Sequence, residues 1–313
     1  MNSRASANDV WRIGSAGDVH APRTILERHG VLFDLDTVLS AAGIDSVGDA
    51  SVRAILESWA VWQERLTELA GASDDAPPLD PEALSWLPPV VYPRKIVICG
   101  ANYRAHVTEM GGDPDALTHP FTLLKPATTS VIGHQQPIVI PRQVTWIDWE
   151  GELGVVIGHR VRHLALADAL TAVAGYCPVN DVSARDWMDA QVPGVGMDWT
   201  LHKGFDGFTP AGPLITPARF VDDPQQLTIK LTVNGATKQE TSTSDMIFGV
   251  AQLITHLTSV MTLEPGDMLL TGSPSGVGFG RKPPEHLEPG DEVILSIGGV
   301  GTLVNPVIAE TVG

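Results

Sequence analysis

Two glutamates, Glu150 and Glu152, stand two residues apart in WIDWEGELGVVI (146–157), a run that passes from acidic to wholly apolar. In an extended strand, residues two apart share a face, so both carboxylates point the same way. Side by side and ionised, they repel unless a cation lies between them. Hard divalent cations accept oxygen ligands of this kind, and Mg²⁺, Mn²⁺ and Ca²⁺ all suit the set. Asp148 falls on the same face, so spacing leaves open which carboxylates are ligands. Asp181, in YCPVNDVSAR (176–185), is a further candidate beside Arg185, although such an aspartate more often caps a helix or closes a turn.

A second chemistry lies in GANYRAHVTEMGG (100–112). With Asn102 capping a short helix, His106 and Glu109 fall three apart on one face. A histidine oriented by a carboxylate is the arrangement of a general base. Gly111, Gly112 and the following DPDALTHP read as a mobile loop suited to a lid. In WTLHKGFDGFTPAGP (199–213), Lys203 is a lone cation among apolar residues and glycines. Buried, it would stabilise an enolate or oxyanion; exposed, it would do nothing of the kind.

The elements that must position these groups are short. Apolar residues return at helical spacing over 52–69, and helical stretches are also expected over 165–174 and 244–258. Strands are expected over 95–99, 130–132, 138–140, 153–157, 227–233, 267–270 and 292–297, punctuated by Gly, Pro, Asn and Asp. Strands outnumber helices without βαβ alternation, which indicates an α+β fold. The segment AGASDDAPPLDPEALSWLPPV (70–90) reads as a linker, so residues 1–88 are expected to form a small accessory unit and 89–313 a catalytic domain.

Composition excludes several functions. A net charge of −17 argues against nucleic acid, whose phosphates require a basic patch. An anionic substrate stays open, because a metal ion and a few cations invert the field within one pocket. The two cysteines, Cys99 and Cys177, lie in apolar runs without CxxC spacing, as core thiols in a reducing cytoplasm would. No apolar run is long enough to span a membrane, and the first residues do not resemble a signal peptide. There is no P-loop, GVGFG (276–280) lacks the dinucleotide pattern, and TGSPSGVG (271–278) misses the nucleophile elbow.

Together, six ordered motifs resemble the fumarylacetoacetate hydrolase superfamily: GANYRAHVTE, Lys125-Pro126, EGELGVVIG, DVSARD, KGFDGFTPAGP and TGSPSGVG, spread over roughly residues 93–306. The resemblance implies a mixed β-sandwich roll and a homodimer. It implies that Glu150, Glu152 and Asp181 bind Mg²⁺ or Mn²⁺, with Asp148 outside the ligand set. His106 and Glu109 would form a lid dyad that activates water or moves protons, and Lys203 would face a substrate oxygen. Tyr103, Arg185, Met188, Thr271 and Gly272 would line the substrate. Many members carry Gln where this chain has Met188, which separates it from oxaloacetate- or acylpyruvate-specific members. The function expected is metal-dependent hydrolytic C–C cleavage of an acylpyruvate-type 2-oxo acid. Decarboxylation, isomerisation or hydration through the same enolate chemistry is the alternative.

Overall fold

The structure, a computed structural model, describes residues 10–44, 48–189, 194 and 196–311. Two main sheets form its frame. The larger runs Val31–Asp34, Ala21–Arg28, Trp11–Asp18, Leu214–Pro217, Val173–Asn180, Gly151–Ile157, Met268–Leu270, Ile96–Gly100, Phe121–Lys125. The smaller runs Ala236–Ser242, Thr228–Val233, Glu292–Ile297, Gly301–Ala309, Ile138–Ile140.

Strand Gly151–Ile157 is buried on both faces, which accounts for its wholly apolar run after Glu152. Leu153, Val155 and Ile157 join Ile229, Leu231 and Leu295 of the small sheet in one core. Val156 instead joins a second core with Ile55, Leu56, Trp59 and Leu66, from helices Val52–Glu57 and Trp59–Ala72. Two sheets thus pack face to face, with helices on the far side of the larger one. The fold is α+β, as the sequence indicates.

Several details differ from expectation. The helix expected over 52–69 is divided at Ser58, whose φ of −125° leaves the helical region. The stretch expected as a helix over 165–174 is a 3-10 helix, Leu166–Ala172, and Val173 already belongs to the next strand. The last expected helix begins only at Val250. Strands Trp11–Asp18 and Ala21–Arg28 form a full antiparallel hairpin that the mixed composition of APRTILER conceals. The expected linker is packed: Leu84 and Trp86 are buried with Ala16, Ile25 and Leu32. Ile13 pairs with Ile215, so the division expected at residue 88 falls inside a shared sheet and a shared core.

Both cysteines are buried and free. Burial pushes the Cys177 thiol up to about 12 and raises that of Cys99 as well, which keeps them protonated at neutral pH. Among the described residues no helix is long and apolar enough to cross a membrane.

Candidate metal and substrate site

Strand register assembles the acidic cluster. In the antiparallel pairing, Val179 lies opposite Glu152 and Asn180 opposite Gly151, and the Asp181 N–H donates to the Glu150 carbonyl at 2.8 Å. Asp181 therefore arrives beside Glu150 although 31 positions separate them in the chain. Carboxylate oxygens of Glu150, Glu152 and Asp181 converge within 4.8 Å of one another, all buried. Asp148 is buried too but turns away from this group. It accepts from the Gly278 N–H at 2.6 Å, the Phe279 N–H at 3.0 Å and Arg185 Nε at 2.8 Å.

Three buried cations surround the carboxylates. The short helix Trp199–Lys203, capped by the Asp198 side chain, delivers Lys203 Nζ to Glu150 Oε2 at 2.9 Å and to Asp181. Arg185 Nη2 donates to Glu150 Oε1 at 2.6 Å. Lys125, at the end of strand Phe121–Lys125, donates to Asp181 Oδ1 and to the Phe208 carbonyl. Burial opposes the charge on Lys203, yet Asp181 and Glu150 outweigh it and raise its pKa. Burial prevails at Lys125 and lowers its pKa despite Asp181. Burial also pushes Glu150 up, but Lys203 and Arg185 hold it well below the usual carboxylate range. Glu152 has the opposite balance: burial, then Asp181 and Glu150, drives its pKa far up. A divalent cation among the three carboxylates would reverse that shift, and a hard, all-oxygen donor set fits one.

His106 and Glu109 lie on helix Arg104–Glu109, with His106 Nδ1 3.2 Å from Glu109 Oε2. Asn102 does not cap this helix. Its buried amide donates to the Phe248 and Thr271 carbonyls and accepts from the Phe248 N–H, tying the segment to two neighbours. Glu109 accepts from the Gly276 N–H at 3.0 Å. Gly280 is packed so closely that a Cβ there would lie 2.6 Å from the Glu109 carboxyl carbon.

The remaining expected residues are placed unevenly. Tyr103 is fully buried, and burial and then the charge of Glu152 raise its pKa. The Thr271 hydroxyl is spent on the Leu153 carbonyl at 2.9 Å, and the Gly272 N–H donates to Glu152 Oε2 at 2.6 Å. Both thus hold the carboxylate strand directly. Met188 is half-buried after the 3-10 turn Arg185–Trp187, with its carbonyl accepting from the Asp198 N–H; residues 190–193 and 195 beside it lie outside the described residues. Sequence reasoning gave no role to Lys125, Asn180 or Ser183. Asn180 Oδ1 accepts from the Glu150 N–H at 2.9 Å, and the Ser183 hydroxyl donates to Glu150 Oε1 at 3.1 Å. For Lys125 a signal existed, a lysine closing an apolar strand before Pro126.

Residues 95–308 match the family described as Fumarylacetoacetate (FAA) hydrolase C-terminal. The mitochondrial oxaloacetate tautomerase FAHD2A of Bos taurus is 40% identical over 232 residues, 74% of this chain and 72% of that protein. The structure of 5-carboxymethyl-2-hydroxymuconate delta-isomerase from Mycobacterium smegmatis superposes with a TM-score of 0.70 at 30% identity, covering 96% of this chain and 100% of that one. Maleylpyruvate hydrolase from Sphingobium sp. SYK-6, in complex with manganese(II) and pyruvate, gives a TM-score of 0.76 at 25% identity, again covering 96% and 100%. The chain belongs to the fumarylacetoacetate hydrolase family.

Proposed function

We propose that the protein is a divalent-metal-dependent enzyme that moves a proton between the keto and enol forms of a 2-oxo or 1,3-dicarbonyl acid. The observation that carries this reading is the buried triad Glu150, Glu152 and Asp181, with three buried cations around it. Held by the triad, Mg²⁺ or Mn²⁺ would supply Lewis acidity to a chelating 2-oxo acid. With all four ionised, the buried carboxylates, counting Asp148, outnumber the three buried cations by one. A divalent ion turns that deficit into a surplus of one, which suits a single substrate carboxylate. Lys203 then stabilises the oxygen that gains charge in the enolate, as a preorganised donor in a site largely closed to water. With Nδ1 engaged by Glu109, His106 offers Nε2 to take or return the proton. Glu109 is itself held by the Gly276 N–H.

A relative named as an oxaloacetate tautomerase at 40% identity, and a neighbour named as a delta-isomerase at 30%, support proton transfer as the reaction type. Hydrolytic C–C cleavage, the expectation from sequence, is the second reading. The same residues serve it if His106 deprotonates a water, and the likeness to a maleylpyruvate hydrolase favours it.

The test is to give the purified protein oxaloacetate and benzoylpyruvate with Mg²⁺, following enol absorbance and analysing products by mass spectrometry. Tautomerisation leaves the mass unchanged, hydrolysis of benzoylpyruvate yields benzoate and pyruvate, and decarboxylation releases CO₂. No acceleration with either compound, or equal activity after chelation of metal, overturns the proposal. Calorimetry on Glu150→Ala and Asp181→Ala should show weakened Mg²⁺ or Mn²⁺ binding; parent-like binding by both removes the triad as the metal site. A homodimer belongs to this proposal through the family resemblance and a cytoplasmic location through the two buried, free cysteines, and light scattering on the purified protein checks the first.

A further inference from the structure

One buried side chain from the other sheet joins the acidic strand to the loop that holds the dyad. Gln239 lies in strand Ala236–Ser242 of the small sheet, 1% exposed. Its Oε1 accepts from the Gly151 N–H at 2.9 Å, and Gly151 is the residue between Glu150 and Glu152. Its Nε2 donates to Ser273 Oγ at 3.0 Å and to the Pro274 carbonyl at 2.8 Å. These two acceptors lie between Gly272, whose N–H binds Glu152, and Gly276, whose N–H binds Glu109.

The loop is seated closely on the same strand. Gly276 has φ of +98°, and a Cβ on it would come within 2.1 Å of the Lys238 carbonyl, so only glycine allows this approach. Arg281 Nη2 donates to that same carbonyl at 2.9 Å. The far end of the loop is fixed by the Gly278 and Phe279 amides on Asp148. Between its two anchors the backbone offers one amide to the acidic triad and one to the dyad.

We propose that Gln239 is a positioning residue for the reaction, setting the distance between the Glu150–Glu152 strand and the Gly272–Gly276 backbone. Through Gly276 and Glu109 it fixes where His106 meets the substrate. A primary amide has one acceptor and two donors, which matches the one N–H and two oxygens it must bridge. Asparagine is shorter by a methylene, and glutamate as an anion has no donor for Ser273 or Pro274. This assignment rests on the proposed role of His106 and Glu109 in proton transfer.

The test uses Gln239→Met, which keeps the chain length and removes all three hydrogen bonds. Mg²⁺ affinity by calorimetry and KM for benzoylpyruvate should stay within about threefold of the parent, while kcat falls by about tenfold, the worth of one or two net hydrogen bonds. Hydrogen exchange should quicken at the Gly276 amide and stay unchanged in strand Val173–Asn180. If the variant does not fold, Ser273→Ala removes one loop acceptor and leaves the Gly151 contact; kcat and Gly276 exchange should shift in the same directions, by less. Unchanged kcat, or a loss that follows Mg²⁺ affinity alone, overturns the proposal. A parent that turns over no 2-oxo acid refutes the enzymatic reading. A variant whose Gly276 amide exchanges as slowly as the parent's refutes the role of Gln239 on its own.

Discussion

Replacing Lys203 by methionine separates what its charge does for folding from what it does for chemistry. The stem keeps its packing, and only the ammonium beside Glu150 Oε2 and Asp181 is lost. A unit charge pair about 4 Å apart is worth about 4 kcal/mol at an effective dielectric near 20. Much of this offsets desolvation, but breaking one partner of a buried pair still costs about 3–5 kcal/mol, because the remaining charges stay buried. At roughly 2–4 °C per kcal/mol, the metal-free variant should melt on the order of 10 °C below the parent. Added Mg²⁺ should restore more of the melting temperature in the variant than in the parent, since the ion replaces a missing positive charge, and calorimetry should show it bound more tightly. With metal saturating, kcat should fall by ~10²–10³ from loss of one preorganised donor. Melting scans with and without Mg²⁺, calorimetry and steady-state kinetics on benzoylpyruvate read these effects separately. An unchanged metal-free melting temperature would refute the electrostatic argument. A rise in KM alone would mean that Lys203 binds the substrate's acid group and does not stabilise an enolate.

His106→Ala should keep Mg²⁺ binding and nearly the parent melting temperature while losing about 10²–10⁴-fold in rate; an unchanged kcat removes His106 from the mechanism. His202 is buried, and burial, with Lys203 and Arg185, lowers its pKa to about 4, so the fold holds it neutral with Nδ1 3.0 Å from the Ala184 carbonyl. The unfolded chain binds a proton near pH 6.5, so this stabilisation is complete above that value and is lost as pH falls toward 4, by roughly 3 kcal/mol. His202→Gln should flatten that part of the melting temperature–pH curve, and parallel curves for parent and variant would remove His202 as the cause. On the resemblance's placement of Met188 against the substrate, a thioether would stand where many members have an amide, so a hydrophobic acylpyruvate should outperform oxaloacetate in kcat/KM. Met188→Gln should swing that ratio toward oxaloacetate by about tenfold if one hydrogen bond is gained; a parent that already prefers oxaloacetate sinks the apolar-pocket argument.

What was legible in the sequence followed from local periodicity and from ordered motifs. The i, i+2 spacing of Glu150 and Glu152 placed two carboxylates on one face without any knowledge of the partner strand. Asp181 could be joined to them only by resemblance, because the register that sets Val179 opposite Glu152 is a long-range property. Gln239 was missed for the same reason: it is unremarkable among its neighbours in sequence, and its role exists only where strands from different parts of the chain meet. Lys125 stood in a motif before Pro126, but its pairing with Asp181 is equally a long-range property. The hairpin of strands Trp11–Asp18 and Ala21–Arg28 escaped notice because Arg12, Arg23 and Glu27 break the apolar alternation. Arg12 and Glu27 face each other across it as an ion pair at 2.9 Å.

The cluster also explains why so much of this chain serves to hold backbone amides. Buried carboxylates are costly to desolvate, and four of them within one site would push one another toward the neutral acid. Three side-chain cations offset part of this, and the loop from Thr271 to Phe279 contributes fixed N–H dipoles to Glu152, Glu109 and Asp148. Such dipoles do not reorganise when charge moves, so their orientation is set during folding rather than during the reaction. An ionised carboxylate in this setting loses stability when an amide or a cation beside it is removed. The same rigidity keeps the carboxylate oxygens of Glu150, Glu152 and Asp181 within 4.8 Å of one another, where they would hold a divalent ion.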